Sequence, residues 1–185
     1  MKMLLSFLAG LVALPALALA ILASGSVDFA ATHPAGPLEA RLAKWALRQS
    51  RAAHTSSAPA LATPPATPEA HSQGLDHYRE NCLVCHSAPG LEPSEIARGL
   101  NPPAPELWSA GSERQSDAVL SSIISRGIRW SGMPAFGPTH TPEEIGHLIV
   151  FVRHLPALSA EERAALKPAE EEEHHHAAAP GPTPH

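Results

Sequence analysis

The most restrictive feature of this sequence is the segment Asn81–His86, which reads NCLVCH. It contains both cysteines of the chain, and a histidine follows the second cysteine directly. The upstream residues Leu75, Tyr78 and Cys82 recur at helical spacing, so we predict that both thiols lie on one helical turn. Any fold built around this segment has to bring two sulfur atoms and the imidazole of His86 close together.

Several kinds of chemistry use closely spaced cysteines. A structural zinc site needs two further ligands in a second cluster, and the chain has no second cysteine pair. A redox dithiol expects a βαβ context, whereas this segment lies among helices, and a plain disulfide leaves His86 unexplained. The pattern C-x-x-C-H is typical of covalent haem attachment in exported proteins. We therefore predict one haem c bound to Cys82 and Cys85, with His86 as a ligand of its iron.

We predict that Met133 is the second axial ligand of the iron. The other methionines, Met1 and Met3, belong to the apolar N-terminal segment. Met133 lies in the loop SGMPAFG, where glycine and proline make it badly placed as core filler. A Met/His pair fills both axial positions and raises the reduction potential, which favours electron transfer over substrate turnover. His140 is the competing ligand, although we expect it to bond locally near Thr141.

The residues around the motif predict an all-α domain over residues 73–158. Several segments have helical spacing or helix caps, and none alternates as a strand does. The clearest helix opens at Thr141, with Pro142 at its first position and Glu144 completing a capping box. A domain of about 85 to 90 residues has a small core, and few aromatic residues favour a large apolar cofactor at its centre. The net charge of −5, without a basic patch, argues against nucleic acid as a partner.

Residues 1–26 are predicted to enter or cross a membrane as one helix. No charged residue occurs from Leu4 to Ala23, a run of about 20 residues that spans roughly 30 Å as a helix. The run is longer than the apolar core of an ordinary signal peptide, which favours an anchor over a cleaved signal. Because Lys2 keeps the N-terminus cytoplasmic, both interpretations place the haem domain on the periplasmic side.

Two segments connect the predicted anchor to the predicted domain. Residues 27–53 place Leu38, Leu42 and Trp45 on one helical face beside basic residues. This pattern favours an amphipathic helix at the membrane surface, and an ordinary surface helix packed on the domain is the alternative. Residues 54–72 are rich in proline and alanine and lack periodicity, so we expect a linker.

The last segment, residues 159–185, is acidic and contains the run EEEEHHH from Glu170 to His176. Its composition predicts a disordered, solvated tail beyond one or two helical turns. Imidazole is a general ligand for copper, nickel and zinc, so the histidine run leaves divalent-metal binding open as an alternative role.

Residues 73–158 resemble a monohaem class I c-type cytochrome, and most closely the small bacterial domains with a GMPAF loop. Besides the cysteine motif and the methionine loop, Gly74 and Tyr78 resemble the G-x-x-x-Y pattern of the family's first helix. The resemblance implies that this helix crosses the last helix, here at Leu148 and Phe151. The N-terminal span followed by a basic helix is similar to that of membrane-anchored members.

The loop NPPAPEL resembles the proline-rich loop of the same family, which implies that one of its backbone carbonyls accepts a hydrogen bond from His86. The resemblance also implies a function, that of an electron carrier that is not an enzyme by itself. Its donor and acceptor proteins remain unknown. The alternatives are a haem-based ligand sensor, a haem subunit of an oxidoreductase complex, and a metal-handling protein that acts through its histidine tail.

Overall fold

The computed structural model describes residues 2–55 and 63–167, without the side chains of residues 2–6 and 8. All regular secondary structure within these ranges is helical, which confirms the predicted all-α class. In chain order the described α-helices are α1 (Lys2–Ala23), α2 (Pro37–Thr55), α3 (Pro68–Asn81), α4 (Leu83–His86), α5 (Glu95–Gly99), α6 (Ala110–Glu113), α7 (Asp117–Arg126), α8 (Pro142–His154) and α9 (Ala160–Leu166), with a 3₁₀ helix at Leu155–Ala157.

The chain divides into two compact units, of which the first, Met1–His33, is built around α1. Apolar side chains of α1, including those of Leu11, Leu14 and Leu17, are exposed. Within the described residues, no helix has both the length and the apolar character that membrane crossing requires. The anchor predicted for residues 1–26 therefore stays a prediction.

The second unit, Pro34–His185, begins with α2, which covers most of the predicted amphipathic segment. Helix α2 lies against α7. The predicted apolar stripe of Leu38, Leu42 and Trp45 does not contribute to this packing, because all three side chains are exposed. The described part of the chain thus leaves a row of apolar side chains on α2 uncovered.

The core of the second unit forms where α3 crosses α8. Gly74 makes this crossing possible, since a Cβ atom at this position would lie 2.2 Å from the carbonyl oxygen of His147. It would also lie 2.8 Å from Cβ of Phe151. Next to the crossing, the rings of Tyr78 and Phe151 are tilted against each other with centroids 5.2 Å apart. Leu148 is buried in the same core, so the contact between the first and last helices of the cytochrome-like pattern is confirmed.

The sequence predicts that His147 is a surface or interface residue of the last helix, but the structure buries it. Its side chain is buried, with 7% exposure, and its Nδ1 atom has no hydrogen-bond partner among the described residues. The prediction is wrong because α8 packs against both α3 and α7 and therefore has little exposed surface.

Helix α3 begins inside the segment 54–72 that the sequence predicts to be a linker. Helix α3 begins at Pro68, and the hydroxyl of Thr67 accepts a hydrogen bond from the backbone N–H of Ala70 at 3.1 Å. Proline at the first helical position and threonine at the N-cap are strong helix-start signals. The end of the predicted linker 54–72 thus belongs to this helix.

The one or two helical turns expected at the start of segment 159–185 are present as α9. Ser159 and Glu162 form a capping box at the start of α9. Leu166, at the end of this helix, is fully buried and belongs to the core. A short acidic helix has little stability of its own, so α9 depends on the burial of this leucine.

Helices α7 and α8 are joined by an ion pair. Arg153 of α8 donates from Nε at 3.0 Å and from Nη2 at 2.7 Å to Oδ1 of Asp117, at the start of α7. The hydroxyl of Thr63 donates to the other carboxylate oxygen of Asp117 at 2.9 Å. Burial acts to raise the pKa of Asp117, but the hydrogen bonds from Arg153 and Thr63 outweigh it and lower the pKa. This pair fixes the helix that leads into the methionine loop.

We predict that Gly74→Ala destabilises the protein. The added methyl group would meet backbone and Cβ atoms, which cannot move aside without separating α3 from α8. Overpacking of this kind costs about 1 to 3 kcal/mol of unfolding free energy. Chemical denaturation of both proteins measures this difference.

Gly99→Ala is the matched control, because no atom lies within 4 Å of a Cβ built at that helical glycine. We expect its unfolding free energy to stay within about 1 kcal/mol of the parent protein. Equal effects of the two substitutions would contradict the close crossing.

Candidate functional site

The two cysteines lie on one turn of helical backbone that follows α3 directly. The backbone N–H of Cys82 donates to the carbonyl of Tyr78 at 2.9 Å, at the end of α3. The backbone N–H groups of Cys85 and His86 then both donate to the carbonyl of Cys82, at 3.1 and 2.9 Å. Both cysteines are half-buried free thiols. The predicted placement of two thiols and an imidazole on one short helical segment is therefore observed.

The thiol of Cys82 has a higher pKa than an ordinary surface thiol. Burial raises the pKa of its thiol to about 12, with a further contribution from the neighbouring Cys85. The thiol of the folded chain is therefore protonated at neutral pH. A neutral thiol is a much weaker nucleophile than a thiolate.

The imidazole of His86 is oriented by one hydrogen bond. Its Nδ1 atom lies 2.9 Å from the backbone carbonyl oxygen of Pro105. A carbonyl oxygen can only accept, so Nδ1 carries the proton and Nε2 keeps its lone pair. Burial lowers the pKa of His86, and the bond to Pro105 opposes this shift. The ring is neutral at pH 7, and the accepting carbonyl expected in the loop NPPAPEL is that of Pro105.

Two hydrogen bonds from other elements hold the short helix that carries the motif. The hydroxyl of Tyr78 donates to the carbonyl of Ser87 at 2.6 Å inside the core. The hydroxyl of Ser94, the N-cap of α5, donates to the carbonyl of Val84 at 2.5 Å. Ser87 has a φ of 53°, a left-handed conformation that is uncommon for serine. The chain therefore changes direction immediately after His86 and is fixed there.

Met133 lies in a loop that folds back on the end of α7. The backbone N–H of Ile128 donates to the carbonyl of Met133 at 3.1 Å, and the N–H of Met133 donates to Oγ of Ser131 at 3.2 Å. Gly127 ends α7 with a φ of 61°, and a Cβ there would lie 2.6 Å from the carbonyl carbon of Pro134. Half-buried Met133 thus lies on a loop that is held by its own hydrogen bonds.

One segment, residues 100–105, contacts both the motif and the methionine loop. At one end, the carbonyl of Pro105 accepts the hydrogen bond from His86. At the other end, the side chain of Leu100 lies against Gly132, where an added Cβ would be 2.7 Å from Cδ2 of the leucine. The segment therefore connects the imidazole to the residue beside Met133.

The residues of this region fit a covalent haem. They offer two free thiols, an imidazole with an available Nε2 lone pair, and a thioether on a closed loop. Haem also needs apolar surroundings. Several apolar side chains pack against the core but stay partly exposed, so they can line a haem: Leu83, Leu91, Leu107, Trp108 and Ile124.

His140, the competing iron ligand, makes local contacts. Its Nδ1 atom lies 2.9 Å from the hydroxyl of Thr139, and its ring meets Phe136 edge-on with centroids 5.1 Å apart. The expected local bonding near Thr141 is thus confirmed. These contacts take up one ring nitrogen and one ring face of His140.

Sequence reasoning missed a second group of ligand-type side chains, formed by His71, His154 and Glu162. His71 is far in the chain from His154 and Glu162, so no spacing in the sequence brings the three residues together. The histidine run predicted as an alternative metal site, Glu170–His176, lies outside the described residues.

The central part of the chain matches a known protein family. The family model described as cytochrome c oxidase, cbb3-type, subunit III matches residues 69–152, somewhat less than half of the chain. No curated protein and no solved structure gives a significant match. The matched region contains the cysteine motif, the methionine loop and the crossing of α3 with α8. This match supports a monohaem c-type cytochrome domain in this region, and such a domain implies covalent haem c.

Proposed function

We propose that this protein is an electron-transfer cytochrome whose haem is attached through Cys82 and Cys85 and ligated by His86 and Met133. The observation that carries the proposal is the hydrogen bond from His86 Nδ1 to Pro105, which leaves Nε2 as the free donor atom of a neutral ring. The haem supplies reversible one-electron exchange between ferrous and ferric iron. It does so without substrate turnover when both axial positions are filled.

His86 contributes a strong and fixed ligand. Because the carbonyl of Pro105 accepts the Nδ1 proton, the tautomer and the plane of the ring are set before metal binding. A hydrogen bond of this kind also makes the ligating nitrogen more basic. The chain therefore tunes the iron through a backbone atom, which no side-chain substitution at position 105 removes directly.

Met133 contributes the ligand that favours electron transfer over ligand sensing or oxygen activation. A thioether on a loop closed by the bond from Ile128 N–H to the Met133 carbonyl is held in a restricted volume. Thioether ligation raises the reduction potential and blocks access of small ligands to the iron. A sensor or oxygen-activating site needs the opposite arrangement, in which one axial position of the iron is vacant or its ligand dissociates easily.

Exposed apolar side chains near the motif and the loop support contact with other redox proteins. Val84 lies between the two cysteines, Ile96 lies on α5, and Trp130 lies near Met133 with 93% exposure. Transient electron-transfer contacts use small interfaces, in which a few exposed apolar groups are sufficient. The proposal therefore describes the donor and acceptor proteins only by the kind of surface they would contact, a small and partly apolar one.

We propose further that the domain works at the periplasmic face of the cytoplasmic membrane, held by residues 1–26. The uncharged run from Leu4 to Ala23 and the exposed stripe of Leu38, Leu42 and Trp45 support this location. A tethered domain meets partners in the same membrane at a high effective concentration.

A second candidate function is that of a haem subunit in a terminal oxidase. The description of the matching family model, subunit III of a cbb3-type cytochrome c oxidase, favours it. Native electrophoresis of mildly solubilised membranes separates the two candidates. A subunit migrates with oxidase activity in a large complex, whereas a separate carrier migrates alone.

Met133→Ala is expected to change the optical spectrum of the haem protein from low spin toward high spin. The variant loses the thioether, so the absorption band of the iron–sulfur bond disappears and the reduction potential falls. We also expect rapid carbon monoxide binding by the reduced variant and none by the parent protein. Absorption spectroscopy and redox titration measure these changes.

Met3→Ala and His140→Ala are the matched controls for this substitution, as a methionine of the N-terminal segment and the competing ligand. Both variants should keep the parent spectrum. A spectrum that shifts in His140→Ala but not in Met133→Ala would exclude the proposed ligand pair. Prompt carbon monoxide binding by the parent protein would favour the ligand-sensor alternative.

Intact mass spectrometry of the protein from membranes is expected to show one haem and an uncleaved N-terminus. Two thioether bonds add the mass of one haem, and an anchor over residues 1–26 is retained. If the haem-loaded protein lacks this segment and occurs in the soluble periplasmic fraction, residues 1–26 are a cleaved signal and not an anchor. A mass without haem after native maturation would contradict the attachment at Cys82 and Cys85.

A further inference from the structure

Three ligand-type side chains meet where α3, α8 and α9 come together. The Nε2 atom of His71, in the first turn of α3, lies 3.3 Å from Oε1 of Glu162. The Nε2 atom of His154, the last residue of α8, lies 3.1 Å from the same oxygen. All three potential ligand atoms lie within 4.8 Å of one another, and all three residues are partly buried.

These separations are close to those of a metal centre. Ligand atoms about 2.0 to 2.1 Å from a tetrahedral zinc ion are roughly 3.4 Å apart. The two contacts to Glu162 already have this length. The imidazoles of His71 and His154 meet edge to face with centroids 4.4 Å apart, so small side-chain rotations bring their Nε2 atoms to one ion.

His71 has an available donor atom that the protein itself leaves unused. Its Nε2 is buried and forms no hydrogen bond with any described residue, although Glu162 is near. Burial and the proximity of His154 lower the pKa of His71, against the opposing effect of Glu162. The ring is therefore neutral at pH 7, which is the form that binds metals.

Glu162 supplies a negative charge whose direction is fixed. Its Oε2 accepts the backbone N–H of Ser159 at 2.7 Å in the capping box of α9. Burial acts to raise the pKa of Glu162, but the hydrogen bonds from Ser159 and His154 outweigh it and hold the pKa at about 2. The carboxylate is ionised, and Oε1 is the oxygen that faces both imidazoles.

We propose that His71, His154 and Glu162 form a binding site for one Zn²⁺ ion, separate from the haem. Two imidazoles and one carboxylate are a ligand set that zinc uses, with water in the fourth position. Magnesium and calcium prefer sites made of oxygen ligands and do not match these donors. The proposal does not depend on the electron-carrier function, because its ligands are other residues than those proposed to hold the haem.

Zinc binding at this site joins the acidic C-terminal helix to the core. Helix α9 is short, and its known anchors are Leu166 and the capping box. An ion held by residues of three helices ties the end of α8 and the start of α9 to α3. Since the unfolded chain has no preformed site, binding raises the stability of the folded protein.

The experiment uses the full-length haem protein in which His174, His175 and His176 are replaced by alanine, so that the histidine tail does not bind metal. Isothermal titration with ZnCl₂ at neutral pH is expected to show one ion per chain with a Kd of about 10 µM or tighter. Excess Zn²⁺ is expected to raise the Tm by about 5 °C or more.

Glu162→Gln is the principal variant, because glutamine retains the capping box while it removes the anionic ligand. His71→Gln removes an imidazole from the same site. Both variants should weaken Zn²⁺ binding at least tenfold and lose the Tm shift. His77→Gln is the matched control, since His77 also lies on α3 and near a carboxylate, with Nε2 4.0 Å from Glu144. It should bind Zn²⁺ as the parent does.

Unchanged zinc affinity in Glu162→Gln, or no binding once the histidine tail is replaced, would overturn the proposal. Haem absorption and circular dichroism show whether a variant is folded. If it is not, X-ray absorption at the zinc edge of the tail-substituted protein identifies the zinc ligands directly. Two imidazole nitrogens with carboxylate oxygen support the site. A zinc shell without imidazole refutes it.

Discussion

The close approach of α3 and α8 at Gly74 determines where the rest of the domain lies. The absence of a side chain allows the backbone of α3 to reach the carbonyl of His147, and Tyr78 can then pack on Phe151. The cysteine motif follows α3 without a loop, so its position is set by this crossing. The hydroxyl of Tyr78 extends the same constraint beyond the motif, because it holds the carbonyl of Ser87.

The functional region is assembled from segments that contribute backbone as much as side chains. The orientation of His86 depends on a carbonyl of the proline-rich loop, and the position of Met133 depends on bonds within its own loop. Such arrangements tolerate side-chain variation in the supporting segments. They require, however, that the loops keep their conformations, which explains the concentration of proline and glycine there.

The local features of this fold could be predicted from the residues themselves, whereas the long-range contacts that were predicted, at Gly74 and at the loop NPPAPEL, came only from the family resemblance. The motif at Cys82, the capping box at Thr141 and the elimination of Met1 and Met3 depend on residues close in sequence. The one or two helical turns of α9 were predicted, but the burial of Leu166 was not, because this side chain enters a core built by distant residues. The grouping of His71 with Glu162 was hidden for the same reason, since the two residues meet only after three helices have packed.

The protonated state of Cys82 has a consequence for biosynthesis. A thiol with a pKa of about 12 in the packed domain reacts slowly with any electrophile at neutral pH. Thioether formation at this sulfur is therefore expected to be faster before α3 packs onto α8 than afterwards.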